Sequence, residues 1–468
     1  MKTRVPESCS AVLLCAALSV SVNSVFGQGN GALLLTTITN PTPASGDIFG
    51  ESVAAVGSDR VLIGSEVAAE AYLFSLDGTL LTTFTNPEVP GGGGFGYSLA
   101  AVGSDRVLIG NYNYFEGVTQ VGRAYLFSTN GALLTTFTNP SPAAVQGFGW
   151  SVAGLGSDRV LIGGPADGNK GAPYRAAAYL FRTNGTLLAT LTNPVPAYDG
   201  GFGLAVVAVG SDRVLVGAPY DNRGASFAGA AYLFSTNGNV ITTFTNPIPA
   251  FNDNFGTALA AVGNNRLLIS AIDYGNAKGN GGSAYLFDIN GALLTSITNP
   301  TPAAYEYFGW SVAAVGSSRL LIGAFQDGTS PLQAGSAYLF STNGTLLNTF
   351  TNPTPAPYGF FGYSVAAIGT DRVIIGGLRD DTGATDAGAA YLYGLPYPTL
   401  RISRNVGTAS LSWVTAESGL ILQQTDLLGT PVAWSDATNA VSVNGTTNVV
   451  QTTTTSGPTS RFYRLRRP

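Results

Sequence analysis

Seven consecutive copies of one unit, four short β-type segments in each copy and turn residues at fixed offsets predict an all-β chain. The predicted architecture is a seven-bladed β-propeller of four-stranded blades closed by the N-terminal strand, followed by a small C-terminal all-β, sandwich-like domain. Phe-Gly opens the units at Phe49, Phe95, Phe148, Phe202, Phe255, Phe308 and Phe361, spaced 46, 53, 54, 53, 53 and 53 residues apart. The 61 glycines and 25 prolines keep that period, so they punctuate turns rather than mark low complexity. With 45% hydrophobic and 10% charged residues, the composition excludes ordinary disorder.

The fourth copy shows the plan. Phe202-Gly203 leads into an apolar segment ending at Val209 (strand A), the turn Gly210-Ser211-Asp212-Arg213, and the run Val214 to Gly217 (strand B). A variable loop precedes Ala231-Tyr232-Leu233-Phe234 (strand C), the turn Asn237-Gly238, then Val240 to Asn246 (strand D) and Pro247. Asn-Gly reads as a type I′ hairpin turn, in which both central residues take positive φ. The A–B connection is equally short, so consecutive strands are antiparallel neighbours. Strand A is built of small residues, strand C is apolar on both faces and strand D alternates with Thr; crowding at an axis and solvation at a rim therefore place A inside and D outside. A β-solenoid, the competing architecture, has shorter coils and no systematic hairpin turns.

The chain divides into a signal peptide (1–27), the repeat region (28–396) and a C-terminal module (397–468). Lys2 and Arg4 precede an apolar run from Ala11 to Val20, and Val25-Phe26-Gly27 offers a cleavage site before Gln28. Cys15 lacks the small-residue context of a lipoprotein box, and no later stretch is long enough to span a bilayer. The expected mature protein is secreted, extracellular or at the cell surface, without membrane insertion, and a monomer. The repeat region opens on a lone D strand, Leu33 to Asn40, and its seventh unit stops after its C strand, Ala390 to Tyr393, so each end supplies what the other lacks. Pro396 and Pro398 mark the linker to a region that breaks the period.

There is no histidine, and the two cysteines, Cys9 and Cys15, lie in the signal segment. The mature chain therefore has no Ser-His-Asp or Cys-His site, no zinc finger, no His-ligated centre and no disulfide; only carboxylate chemistry survives. No cofactor and no metal site is expected. Residues 28–396 hold 14 Lys/Arg against 23 Asp/Glu, and residues 397–468 hold 6 against 3. The acidic repeat region makes nucleic acid a poor partner.

The motif Phe-Gly-x-Ser-Val-Ala, with Val-Leu-Val-Gly-Ala-Pro at Val214 to Pro219, resembles the FG-GAP repeat, the blade unit of integrin α-subunit heads and of many secreted bacterial proteins. The resemblance covers residues 31 to 393 and implies a propeller with an adhesion-type role. It also implies calcium in an Asp-rich A–B loop, but here that loop is the tight turn Gly57-Ser58-Asp59-Arg60 and its counterparts, too poor in oxygen for calcium's six to eight ligands. The last 72 residues, with Leu411-Ser412-Trp413 and Trp434, resemble a small all-β module found at the C-terminus of secreted bacterial proteins.

In a four-stranded meander the B–C and D–A loops share one face, and variation between units concentrates there. Asp167, Asp221, Asp273, Asp327 and Asp380 hold near-equivalent places in five B–C loops. They form either a carboxylate ring for cations or a basic partner, or Asx-turns bonding their own backbone. Trp150 and Trp310, with Tyr97 and Tyr363, follow Phe-Gly directly, and Tyr305, Tyr307, Phe251, Tyr358 and Phe360 lie in D–A loops. These rings serve either to stack on sugars and anchor a partner or to pack between blades. One arginine per unit, from Arg60 to Arg372, is read as structural. Asn184, Asn343 and Asn444 begin Asn-Gly-Thr sequons. The expected function is a secreted non-catalytic module binding an extracellular protein or glycan; the alternatives are a carboxylate-dependent carbohydrate-active enzyme and a structural matrix protein.

Overall fold

A computed structural model describes residues 31–88, 93–116, 119–141, 147–165, 176–195, 200–273, 281–303, 305–328 and 333–395, and the C-terminal strands 401–405, 408–414, 421–425, 435–437, 441–444, 447–453 and 462–466. The signal segment, Asp167 and Trp434 lie outside the described residues. Among the described residues there is no helix. Contacts divide the chain into a large unit, Ala32–Leu395, and a second unit that contains Pro396–Pro468.

The large unit consists of seven four-stranded antiparallel sheets. Five are built of consecutive strands, as in Val53–Val56, Arg60–Ser65, Glu70–Ser75 and Leu80–Thr85, and a sixth is interrupted only by the short hairpin Phe115–Glu116 and Thr119–Gln120. The seventh joins Phe361–Ile368, Arg372–Gly377 and Ala389–Gly394 to Leu33–Thr39, whose register sets Thr37 opposite Tyr391. First strands touch in chain order: Val53–Val56, Phe95–Val102, Ser151–Leu155, Val206–Val209, Leu259–Val262, Ser311–Val315 and Phe361–Ile368, and the last touches Val53–Val56 again.

Burial follows the composition gradient. Strand A is half-buried, strands B and C are buried almost throughout, and strand D exposes its first residues while burying one aromatic or aliphatic side chain. The phenylalanine of every Phe-Gly is fully buried between neighbouring sheets. Phe95, for example, packs beside Tyr125 and Phe127 at ring distances of 5.9 and 6.3 Å.

Polar ties repeat from sheet to sheet. On strand A, Ser52 Oγ donates to the carbonyl of Gly96 at 2.6 Å, Ser98 to Gly149 at 2.8 Å, and Ser364 to Gly50 at 2.7 Å, the last joining the end of the region to its start. On strand D, Thr82 donates to the Thr129 carbonyl at 2.8 Å, and Thr36 makes the same bond to Leu76 at 3.1 Å. At the A–B turns, Arg60 donates to Ser104 O at 2.6 Å, Arg159 to Ser211 O at 2.8 Å and Arg213 to Asn264 O at 2.9 Å, each reaching the next unit's turn.

The approach of neighbours explains two glycines. A Cβ on Gly64 would stand 2.1 Å from the Gly96 carbonyl oxygen and 2.3 Å from Ser52 Oγ, and Gly96 itself has φ of +93°. In the fifth unit Ser270 takes the place of Gly64 and Ala258 that of Ser52, so the side chain has changed strands. Ser270 Oγ there accepts from Ala258 N at 3.0 Å.

The C–D turn corrects one expectation. Gly78 and Gly131 have positive φ, whereas Asp77 and Asn130 do not. Gly78 N donates to Ser75 O, Ser75 N to Thr79 O, and the register slips between Leu73 and Phe74. This is a type I turn followed by a glycine bulge rather than a type I′ turn; the bulge supplies the twist that the primed turn would have supplied.

In the second unit, Arg401–Asn405, Thr408–Val414, Thr447–Thr453 and Val441–Asn444 form a four-stranded antiparallel sheet, and Ser435–Asp436, Ile421–Thr425 and Phe462–Arg466 a three-stranded one. Leu411 and Val450 from the first pack with Leu422 and Tyr463 from the second.

Removing residues 28–40 strips the seventh sheet of its outer strand; the expected result is aggregation or loss of the cooperative melting transition. Gly64→Ala should destabilise by about 1–3 kcal/mol through overpacking. A Ser52→Ala/Gly64→Ser pair, copying the fifth unit, should regain part of that loss in denaturant titration.

Candidate functional site

Three of the aspartates turn inward. Asp221, Asp327 and Asp380 are buried, and each accepts a hydrogen bond from the strand-C tyrosine of its own unit: Tyr232 at 2.7 Å, Tyr338, and Tyr391 at 2.5 Å. The other oxygen of Asp221 accepts from Arg223 N at 3.0 Å, and that of Asp380 from Thr382 N at 2.9 Å, both Asx-turns. Burial, then the bonded carboxylate, pushes all three phenols up. Asp273 is also buried, with φ of +53° and an Oδ1 without a hydrogen-bond partner. These carboxylates shape their own loops.

In four units the asparagine of Thr-Asn-Pro does related work that the sequence reading passed over. Asn40 donates to Asp47 at 2.8 Å, Asn246 to Asp253 at 2.7 Å, Asn299 to Glu306 at 2.7 Å and Asn352 to Asp380 at 2.9 Å. The oxygen of each accepts from the backbone two residues on, as from Thr42 at 3.0 Å. Its signal was present: one asparagine per unit at a fixed offset. Burial pushes Glu306 up to about 7, a rise opposed by the Ala303 N–H and reinforced by the adjacent Asp327 carboxyl.

The residues after Phe-Gly converge. Glu51, Trp150 and Tyr363 line a cavity of about 280 Å³, which also receives strand-A residues from all seven sheets. Trp150 lies 4.9 Å from Tyr97 and 4.6 Å from Tyr112, ring centre to ring centre. Trp310 lies 4.9 Å from Phe325 and 5.4 Å from Tyr363, and Tyr307 stacks on Phe325 at 5.3 Å. Both tryptophans therefore belong to packed aromatic clusters. Tyr305, by contrast, is 46% exposed. Tyr305, Tyr307, Tyr358 and Phe360 all hold positive φ, a costly conformation for bulky residues that the D–A loops impose.

Glu51 was missed by the sequence reading, although the other six residues in its position are uncharged. It is 8% exposed, and its carboxyl hydrogen-bonds Glu66 of the first B–C loop, which accepts from Tyr112 Oη at 3.0 Å. Burial and the Glu66 charge push Glu51 up to about 9, and burial raises Glu66 as well. The phenols of Tyr97, Tyr112 and Tyr363 are pushed up by burial and by this acidic pair. Among the described residues no group of three or more Asp, Glu, His or Cys side chains could hold a metal ion.

A second group of rings is exposed. Phe227 lies 6.1 Å from Tyr220 and 6.5 Å from Phe251, joining a B–C loop to the following D–A loop.

The raised acids set a pH dependence. The folded chain binds more protons than the unfolded one between 4.5 and the folded values near 7 and 9, so stability is fullest below pH 4.5 for these groups and falls as pH rises through them. Thermal melts from pH 5 to 10 should show the decline, and Glu51→Gln should remove its alkaline part. Asp221→Ala, which orphans the Tyr232 hydroxyl, should cost about 1–3 kcal/mol.

Residues 294–340 and 349–393 match the FG-GAP repeat model. No curated protein matches the chain. Among solved structures, virginiamycin B lyase from Staphylococcus aureus is similar at 12% identity, with a TM-score of 0.54, covering 77% of this chain and 99% of that one. The WD40 propeller domain of Doa1 aligns at 16% identity and TM-score 0.50 over 78% and 97%. The Pan2 WD40 domain from Neurospora crassa aligns at 12% identity and TM-score 0.51 over 79% and 96%. At such identities the likeness concerns the fold alone. The chain thus carries FG-GAP repeats within residues 294–393 and has an all-β fold similar to that of β-propellers.

Proposed function

We propose that this chain is a secreted, non-catalytic interaction module: a seven-bladed propeller, closed by its N-terminal strand, that binds protein or glycan through the face carrying the B–C and D–A loops. The observation that carries this reading is the placement of exposed aromatics. Tyr220, Phe227, Phe251, Tyr305 and Tyr358 all lie in those loops. Rigid rings at a solvent boundary give large contact area at small entropic cost, as binding surfaces do. The loops beneath are held by the buried Asp and Asn bonds, so the rings are presented by a fixed frame. The seven sheets and the cyclic contacts of their first strands support the blade count, and the first 27 residues support export.

The catalytic alternative finds less support. Glycosidase carboxyl pairs stand about 5–10 Å apart to admit a glycosidic oxygen or water. Glu51 and Glu66 are in hydrogen-bond contact, and Asp327 is bound to Tyr338. The reading requires neither cofactor nor metal, and the C-terminal module is a separate compact unit.

Arrays of glycans and extracellular proteins, probed with the mature chain, test the reading. Tyr305→Ala/Tyr358→Ala and Phe251→Ala should each weaken captured partners by about tenfold or more without changing the melt. Release of reducing sugar that Asp221→Asn or Asp327→Asn abolishes would establish an enzyme instead, and binding indifferent to every loop-face substitution would leave a structural protein.

A further inference from the structure

Glu66 accepts a tyrosine hydroxyl as the buried aspartates do, but Glu51 has no such partner. Asp221, Asp327 and Asp380 each receive a tyrosine hydroxyl from their own sheet; Glu51 Oε2 is buried with no hydrogen-bond donor, and Glu51 lines the inner cavity. Among the described residues no lysine or arginine bonds either glutamate. A buried carboxyl oxygen without a donor, in an acid pair without a cation, is costly, and a bound ion is one of the explanations such a group admits. The surroundings say which ligand. Tyr363 and Trp150 line the same cavity, and Tyr97 and Tyr112 pack against Trp150. Aromatic faces attract cations, most strongly when water is displaced. A calcium ion needs six to eight oxygens, more than two carboxyls and a phenol present. A neutral sugar would leave the acid pair without a counter-charge.

We propose that the inner end of the loop face binds an alkylammonium group, the terminal amine of a lysine side chain or of a polyamine, between the Glu51 and Glu66 carboxyls and the rings of Trp150 and Tyr363. The proposal rests on the loop-face reading and names the chemistry of its ligand. An ammonium carries three donors and one positive charge, which satisfy Glu51 Oε2 and allow both carboxyls to ionise together. Before binding, the pair holds one proton between its two carboxyls; when the ammonium enters, that proton leaves to solvent and no covalent bond changes. The other titratable groups facing the pair are Tyr97, Tyr112 and Tyr363, whose phenols stay protonated throughout.

The test titrates the mature chain at pH 7 with N-acetyl-lysine methylamide and with spermidine, and with N-acetyl-norleucine methylamide and calcium chloride as controls. Tryptophan fluorescence reports occupancy, and calorimetry in two buffers of different ionisation enthalpy reports proton release. The expected result is saturable binding of an amine, no response to norleucine, and release of up to one proton. Glu51→Gln and Glu66→Gln should each weaken binding by about tenfold or more and suppress the release. At pH 8, Glu51→Gln should melt no lower than the parent, which separates lost binding from lost folding. Tighter binding of the lysine probe marks a protein partner; tighter binding of spermidine marks a free polyamine. Failure of both amines to bind, binding undiminished in Glu51→Gln, or a calcium response in their place would overturn the proposal. If the amines fail while Tyr305→Ala/Tyr358→Ala still weakens partner capture, the loop-face reading stands and only this ligand chemistry falls.

Discussion

The constraint on which the large unit depends is the close approach of each strand B to the Phe-Gly of the following copy. At Gly64 the backbone of one sheet comes so near the Gly96 carbonyl that only a hydrogen fits between them. That carbonyl then takes the hydroxyl of Ser52, which answers the hydrogen-bonding need the sheets leave at their inner edge. The same contact recurs from copy to copy, and it sets the spacing at which the phenylalanines are enclosed between sheets. The requirement is for volume and not for the hydroxyl: the fourth unit makes the same approach at Gly217 with Ala205 in place of the serine, and in the fifth unit Ser270 Oγ bonds Ala258 of its own sheet instead.

Because every sheet relies on the next, the two ends of the region meet the same demand. Leu33–Thr39 lies on Ala389–Gly394 as any strand D lies on its strand C, and Thr36 reaches Leu76 as Thr82 reaches Thr129. Ser364 to Gly50 completes the inner set. An outer strand from the start of the chain thus converts sequence-local repeats into a structure whose ends are mutually dependent, and it covers an edge that would otherwise invite foreign strands.

Carboxyls divide by their partners. Those bonded to a tyrosine, as Asp221 and Asp380 are, hold loops in place; several donors balance their burial. Glu51 and Glu66 face each other instead, so desolvation and mutual repulsion act together and protonation relieves both. Identical side-chain chemistry therefore gives rigid scaffolding in one place and a proton-holding pair in another.

The all-β class, the four strands of each unit and their inside-to-outside order were legible in the sequence, because residue size and alternation respond directly to crowding, burial and solvation. The turn residues were legible too, though Asn-Gly serves a bulged type I turn rather than its mirror image, since short-range sequence does not settle which central residue takes positive φ. The aspartates of the B–C loops looked like a ring of potential ligands; whether each faced solvent or its own tyrosine depended on side-chain direction, and that is decided by packing between sheets. The pairing of Glu51 with Glu66 was beyond sequence reasoning, because two residues on neighbouring segments become a buried acid pair only when rings from other copies remove the water around them. Sequence determined the repeat, its strands and its small inner residues; tertiary structure alone decided which polar groups were shut away together, because desolvation is a property of neighbours and not of position along the chain.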